Sequence, residues 1–267
     1  MEITKLFQNL KQKNQGVFIA GMVPGYPDLK TSFKIAQTII NAGADVLELS
    51  SSFSDPIADG PTIQQAHAHV LKNKINKNQI FELYKKIHNF SPNTPLFIIE
   101  YINCVYCLGI NNYYKKLATS GVDNLLIPDL SIEEAKPFLN AAKKYKINQI
   151  FIVAPTTTKN RLIKINKFSS KFLYLVAVAG VTGKRENFLE ETKKFIQETK
   201  KIVSLPIIIG FGISKQQHVF QALSAGANGI VICSANINLI KKNLNDKKKM
   251  LNELKIYIKN IKNATLI

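Results

Sequence analysis

The sequence predicts a single-domain α/β protein, a (β/α)8 barrel of the TIM type spanning residues 1–267. Three observations carry this. Eight short β-branched runs alternate with helix-like stretches along 267 residues, a length at which such barrels fold as one unit. The runs are continuously apolar rather than alternating, as expected for parallel strands covered on both faces. A glycine turn also recurs, Ala42-Gly43-Ala44-Asp45, Ser120-Gly121-Val122-Asp123 and Ala225-Gly226-Ala227-Asn228, each time just before a run. Glycine there can take the left-handed conformation that ends a helix and turns the chain into the next strand.

In chain order the strands are expected near 17–23, 45–50, 95–101, 124–129, 149–155, 172–178, 206–211 and 229–234. Between them lie amphipathic segments such as 132–145, with apolar residues at helical spacing and lysines elsewhere. The stretch 235–262 reads as a final helical region closing the barrel, and no segment has the composition of an interdomain linker. A doubly wound open sheet is the alternative, but no Gly-x-Gly-x-x-Gly follows the first strand.

Composition excludes several classes. With 46% apolar residues the chain can bury a large core, unlike a disordered chain. No apolar run approaches the roughly 18 residues of a membrane span. Met1 to Lys13 has no apolar signal core, and three cysteines make no disulfide framework, so a reducing compartment is expected. The formal charge of +18 suggests a polyanion partner. However, Arg161 and Arg185 are the only arginines, whereas nucleic-acid readers favour guanidinium forks. Abundant Lys, Asn and Ile together are the mix expected of an AT-rich genome.

Glu48 is the anomaly of the second run. It lies in Val46-Leu47-Glu48-Leu49, near the C-terminal end of the strand, where barrel active sites are built. A carboxylate among apolar side chains loses hydration, which raises its pKa toward the range useful for proton transfer. The alternative is a strand-end acid reaching solvent or a lysine. The following loop, Ser54-Asp55-Pro56-Ile57-Ala58-Asp59-Gly60-Pro61-Thr62, is restricted by two prolines around a Gly-Pro turn and opens a helix at Thr62–His69. Asp59 can share acid and base roles with Glu48, or it can satisfy its own backbone in an Asx turn.

A candidate phosphate site comes from Gly180-Val181-Thr182-Gly183, Gly210-Phe211-Gly212-Ile213-Ser214 and Ser234-Ala235, after the sixth, seventh and eighth strands. Small residues let backbone N–H groups approach an anion, and a helix N-terminus favours negative charge. The same glycines can also be plain tight turns. Cys104-Val105-Tyr106-Cys107 has metal spacing, but Cys233 is the only other cysteine, so no structural zinc is expected. His67, His69, His88 and His218 are scattered, and Lys247-Lys248-Lys249 reads as a solvated helix face.

These motifs together resemble the tryptophan synthase alpha chain family. Ala42 to Asp45, Leu47-Glu48-Leu49 and Phe53 through Gln64 follow its signature in order and spacing. Pro24-Gly25-Tyr26-Pro27-Asp28, Pro128-Asp129-Leu130, Ala154-Pro155-Thr156-Thr157 and the glycine loops extend the likeness through nearly the whole chain. The resemblance implies retro-aldol cleavage of indole-3-glycerol phosphate to indole and glyceraldehyde 3-phosphate, with no cofactor and no metal. Glu48 then matches the acid–base carboxylate and Asp59 the carboxylate that binds the indole N–H. Tyr174 matches the tyrosine beside the glutamate, and Tyr101 an indole-pocket residue. Thr182 matches the threonine of a loop that closes over Asp59. Gly183, Phe211, Gly212 and Ser234 match the phosphate end.

The resemblance also implies a beta-chain partner that carries pyridoxal phosphate, in an α2β2 assembly contacted around Asp55 and Pro56. Cytoplasm is the expected compartment, or plastid stroma for a plastid-encoded chain. Departures from the pattern are Ser50-Ser51-Ser52 in place of a glycine–apolar–proline exit, Ala20-Gly21 in place of a proline–aromatic pair, and Glu100, Ala177 and Cys233. They leave open a weakened chain that acts mainly as an activator of the beta subunit.

Overall fold

The computed structural model describes residues 2–176, 185–210 and 212–267. Among them nine strands form one parallel sheet: β1 (Val17–Met22), β2 (Val46–Ser50), β3 (Leu96–Ile99), β4 (Asn124–Leu126), β5 (Asn148–Ile150), β6 (Ile152–Val153), β7 (Leu173–Val176), β8 (Ile207–Gly210) and β9 (Gly229–Ile232). Their order is β5-β4-β3-β2-β1-β9-β8-β7-β6. All eight expected runs are present, but the fifth is split at Phe151. That run must pair with β4 on one side and β7 on the other. At the break, Phe151 N–H turns to Ser169 Oγ at 3.2 Å, while its carbonyl accepts from Tyr174 N–H at 3.2 Å. One interrupted run thereby closes the ring, and the architecture is the expected barrel with helices outside.

Two helical expectations shift. The helix expected over 132–145 begins only at Lys136 and runs to Tyr145. Pro137 sits in its first turn, where no amide donor is needed. The region 235–262 divides into helices Ser234–Lys242 and Lys247–Asn263, because Asp246 caps the second by accepting from Lys249 N–H at 2.9 Å. Lys247, Lys248 and Lys249 are exposed on its first turn. Among the described residues, no helix is long and apolar enough to cross a membrane.

The glycine turns do what their sequence suggests. Gly43, Gly121 and Gly226 all have positive φ, at 106°, 77° and 109°. Two of the polar residues that follow stitch adjacent strands together. Asp45 N–H donates to Phe18 O, and its Oδ2 accepts from Phe18 N–H at 2.8 Å. Asn228 repeats the pattern on Ile207, with 2.7 and 2.8 Å bonds.

Continuous apolar runs build two separate cores. Alternate residues such as Phe18, Ala20, Leu47, Leu49 and Ile98 face the surrounding helices. The opposite parity, Val17, Ile19, Val46, Phe97, Leu126, Ile150, Phe172, Tyr174, Ile208 and Val231, fills the barrel. Helix Ile3–Gln12 seals the end where the strands start, inserting Ile3, Leu6, Phe7 and Leu10 into that interior cluster. Glu48 lies two residues beyond Val46, so it shares the inward parity at the opposite end.

Candidate active site

At the C-terminal ends of the strands the interior opens into a cavity of about 630 Å3. Its lining includes Glu48, Ser50, Asp59, Tyr101, Tyr174, Gly212, Cys233 and Ser234, together with apolar Ile99, Leu126, Ile152, Val176 and Val231. This is an apolar slot with a few convergent polar groups, the usual character of a small-molecule site.

Glu48 is 2% exposed, and its Oε2 has no hydrogen-bond partner. Loss of hydration pushes its pKa up from 4.5 to about 8, with the neighbouring charge of Asp59 adding to the effect and hydrogen bonding to Tyr174 opposing it. Asp59 is also raised by burial, but the Tyr101 hydroxyl favours its ionised form, donating to Oδ2 at 2.7 Å. Two like charges this close resist joint ionisation, and Glu48, in the drier place, keeps the proton.

Tyr101 links the loop to the barrel. Besides donating to Asp59, its hydroxyl accepts from Ala58 N–H at 3.1 Å, and its ring stacks on Phe53 with centroids 5.1 Å apart. Asp59 is therefore held by the barrel and not by a free Asx turn. Tyr174 stands on β7, its phenol over Gly210; a Cβ at that glycine would lie 2.5 Å from the hydroxyl.

At the other side of the cavity, Gly212 has φ 76° and Ser234 is exposed at the first turn of Ser234–Lys242. Buried Asn236 anchors this helix start, donating to Gly21 O at 2.9 Å and Ile232 O at 3.0 Å. Of the remaining expected residues, Thr182, Gly183, Phe211 and Ala177, and the loop residues Gly180 and Val181, lie outside the described residues. In the expected partner loop Asp55 is exposed, whereas Pro56 is buried within the chain, and the exposed apolar residue is Ile57. Among the described residues, no cluster of three or more His, Cys, Asp or Glu could hold a metal ion.

Several departures in sequence make a consistent set in space. Cys233 Cβ lies 2.5 Å from where a Gly21 Cβ would be, with Glu48 Oε1 at 2.7 Å from the same point. The thiol fills the space left open by Gly21, beside the carboxyl. The triple serine of the β2 exit is held from outside, a feature the sequence reading missed. His67 Nδ1 accepts from Phe53 N–H at 3.3 Å, and its Nε2 faces Ser50 Oγ at 3.4 Å. Burial and the charge of Lys77 lower the His67 pKa to about 4, so the ring is a neutral strut.

A family model described as tryptophan synthase alpha chain matches residues 7–266. The tryptophan synthase alpha chain of Francisella tularensis is 40% identical over 263 residues, covering 98% of each chain. That of Methanocaldococcus jannaschii is 40% identical over 255 residues, covering 96% of this chain and 90% of the relative. A chain from the tryptophan synthase α2β2 complex of Pyrococcus furiosus superposes with a TM-score of 0.86 at 33% identity, over 93% of this chain and 98% of the other.

Proposed function

This chain belongs to the tryptophan synthase alpha chain family, and from that premise we propose that Glu48 and Asp59 carry its chemistry. The activity is retro-aldol cleavage of indole-3-glycerol phosphate to indole and glyceraldehyde 3-phosphate. The observation that supports the assignment most directly is the pair of carboxyls in unequal surroundings, one dry with a pKa near 8, the other held by Tyr101. Protonated Glu48 delivers its proton to indole C3, and the resulting positive charge on the ring is met by the Asp59 carboxylate at the indole N–H. Glu48, now ionised, takes the proton from the hydroxyl of the adjacent glycerol carbon. The C–C bond then breaks, its electron pair returns to the indole ring, and an aldehyde forms. The proton that leaves oxygen replaces the one given to carbon, so the cycle consumes none. This is carbon–carbon lyase chemistry.

Tyr174 orients the Glu48 carboxyl, and Tyr101 positions Asp59. Gly212 and Ser234, with Gly183 and Phe211, receive the phosphate, where small residues and the first turn of Ser234–Lys242 favour an anion. Residues 1–267 act as one barrel domain, supported by an apolar shell that runs from Phe18 to Ile261. The partner is a tryptophan synthase beta chain, as in the Pyrococcus furiosus α2β2 complex, and the surface around Asp55 and Ile57 is the part of the β2 loop open to it. Pyridoxal phosphate belongs to that partner. A cytoplasmic site of action fits the bacterial and archaeal relatives.

The test is indole release from indole-3-glycerol phosphate, with and without a beta chain, by the wild type, Glu48→Gln and Asp59→Asn. Turnover by the wild type and its loss in both variants are expected. Full turnover by Glu48→Gln would falsify the assignment. A wild type without lyase activity that still stimulates the beta reaction would make the chain an activator only.

A further inference from the structure

The structure assigns Lys77 and Glu100 as positioning residues that hold the β2 exit and the Tyr101–Asp59 contact in one geometry. The inference rests on the proposed roles of Glu48 and Asp59. Lys77 is the first residue of helix Lys77–Phe90, where a cation opposes the helix dipole. Its placement therefore does nothing for the helix, which has its own capping box from Asn76 and Gln79. The ammonium reaches inward instead and meets three acceptors: Glu100 Oε2 at 2.6 Å, Ser51 Oγ at 2.7 Å and Ser52 O at 3.3 Å. Three acceptors match the three protons of an ammonium.

Glu100 is 1% exposed and is bonded on both oxygens. Oε2 also accepts from Tyr113 Oη at 3.1 Å, and Oε1 accepts from Tyr101 N–H at 3.3 Å. The Lys77–Glu100 pair thus ties the ends of two neighbouring strands. Ser51 and Ser52 begin the loop that carries Asp59. Tyr101, fixed at its backbone by Glu100, bonds Asp59 at its hydroxyl. A serine exit lacks the fixed φ that a proline imposes, so its path is set by what grips it. Such a pair is a poor stability device, because dehydrating two charges offsets most of their attraction. What the arrangement supplies is a fixed distance between two strand ends beneath a catalytic loop.

The experiment replaces both charges with apolar groups, Lys77→Met with Glu100→Leu, in the full chain. Thermal unfolding, kcat and KM for indole release, and the pH dependence of kcat/KM are then measured. The double variant leaves no unpaired charge, but the buried Tyr113 hydroxyl and Tyr101 N–H lose their acceptor, so a moderate fall in Tm is expected with the fold retained. Displacement of Asp59 is expected to lower kcat about 10- to 100-fold with little change in KM. Glu48 faces Asp59, Tyr174 and Cys233. As Asp59 withdraws, the alkaline limb set by Glu48 should move to lower pH, a change that a merely structural role would not produce. A folded double variant with wild-type kcat and an unmoved alkaline limb overturns the inference. Ser51→Ala decides the matter if the double variant does not fold. It removes one anchor and keeps the ion pair, with about a 3-fold drop in kcat expected and an unchanged kcat counting against the role. Glu48→Gln, run alongside, separates the two readings: its full turnover would defeat the site assignment, while its inactivity beside a fully active double variant would defeat the positioning role alone.

Discussion

The two ends of the barrel interior are built from the same strands with the same inward parity, yet they are opposites. At the strand starts, Ile3, Leu6, Phe7 and Leu10 plug the interior, and Phe7 packs on Phe172 with centroids 6.0 Å apart. At the strand ends the same rows finish in Glu48, Tyr174 and Cys233 around a cavity. One end gains stability from apolar burial. The other holds a dehydrated carboxyl with an unbonded oxygen, which costs stability and gives reactivity. Period-two patterning thus decides which residues enter the barrel, while position along the strand decides what they do there.

Glu48→Gln should separate the two ends most strongly. The variant should lose about 10^2- to 10^4-fold in kcat while gaining Tm at pH 8, because the amide carries no ionisation penalty. A simultaneous loss of stability would show that Glu48 is structural. At the plugged end the outcome should invert. Phe7→Ala should destabilise by about 3 kcal/mol in chemical denaturation and leave kcat unchanged at a temperature where the variant is folded.

A smaller effect follows from linkage. The Glu48 pKa rises from 4.5 to about 8 on folding, so between these values the native chain holds a proton that the unfolded chain has released. This contribution to stability is intact below pH 4.5 and declines as pH climbs to 8. Denaturant midpoints measured across that window should fall more steeply for the wild type than for Glu48→Gln. The smallest effect is expected of Tyr101→Phe, which deletes the hydroxyl shared by Asp59 and Ala58. A decrease of about 3- to 10-fold in kcat is expected, with Tm almost unchanged.

How much of this was legible in the sequence varies with the range of the interaction. The strands were readable because each is a local apolar run, and Glu48 stood out as a charge inside one of them. The split at Phe151 was not, since it arises from the demand to pair with two different neighbours in a closed ring. Asp59 was visible as a candidate, but its alternative Asx role could be set aside only once Tyr101 was seen bonded to it. Lys77 was invisible among 34 lysines, and Glu100 read only as a departure; the meaning of each lies in the other. Gly21 and Cys233 likewise look like two separate losses until β1 and β9 bring them into one space.

The strand order also bears on how the chain finds its fold. From β1 through β9, successive strands pair as sheet neighbours except at the Phe151 break, and only the β1–β9 pairing, Val17↔Gly229 to Ala20↔Ile232, joins distant parts of the chain. Neighbouring β–α–β units can therefore form at modest entropic cost, each closing a short loop. The large loop is closed once, when β9 docks on β1. That late step also assembles the wall of Gly21, Glu48 and Cys233, so catalytic competence should be among the last properties acquired during refolding.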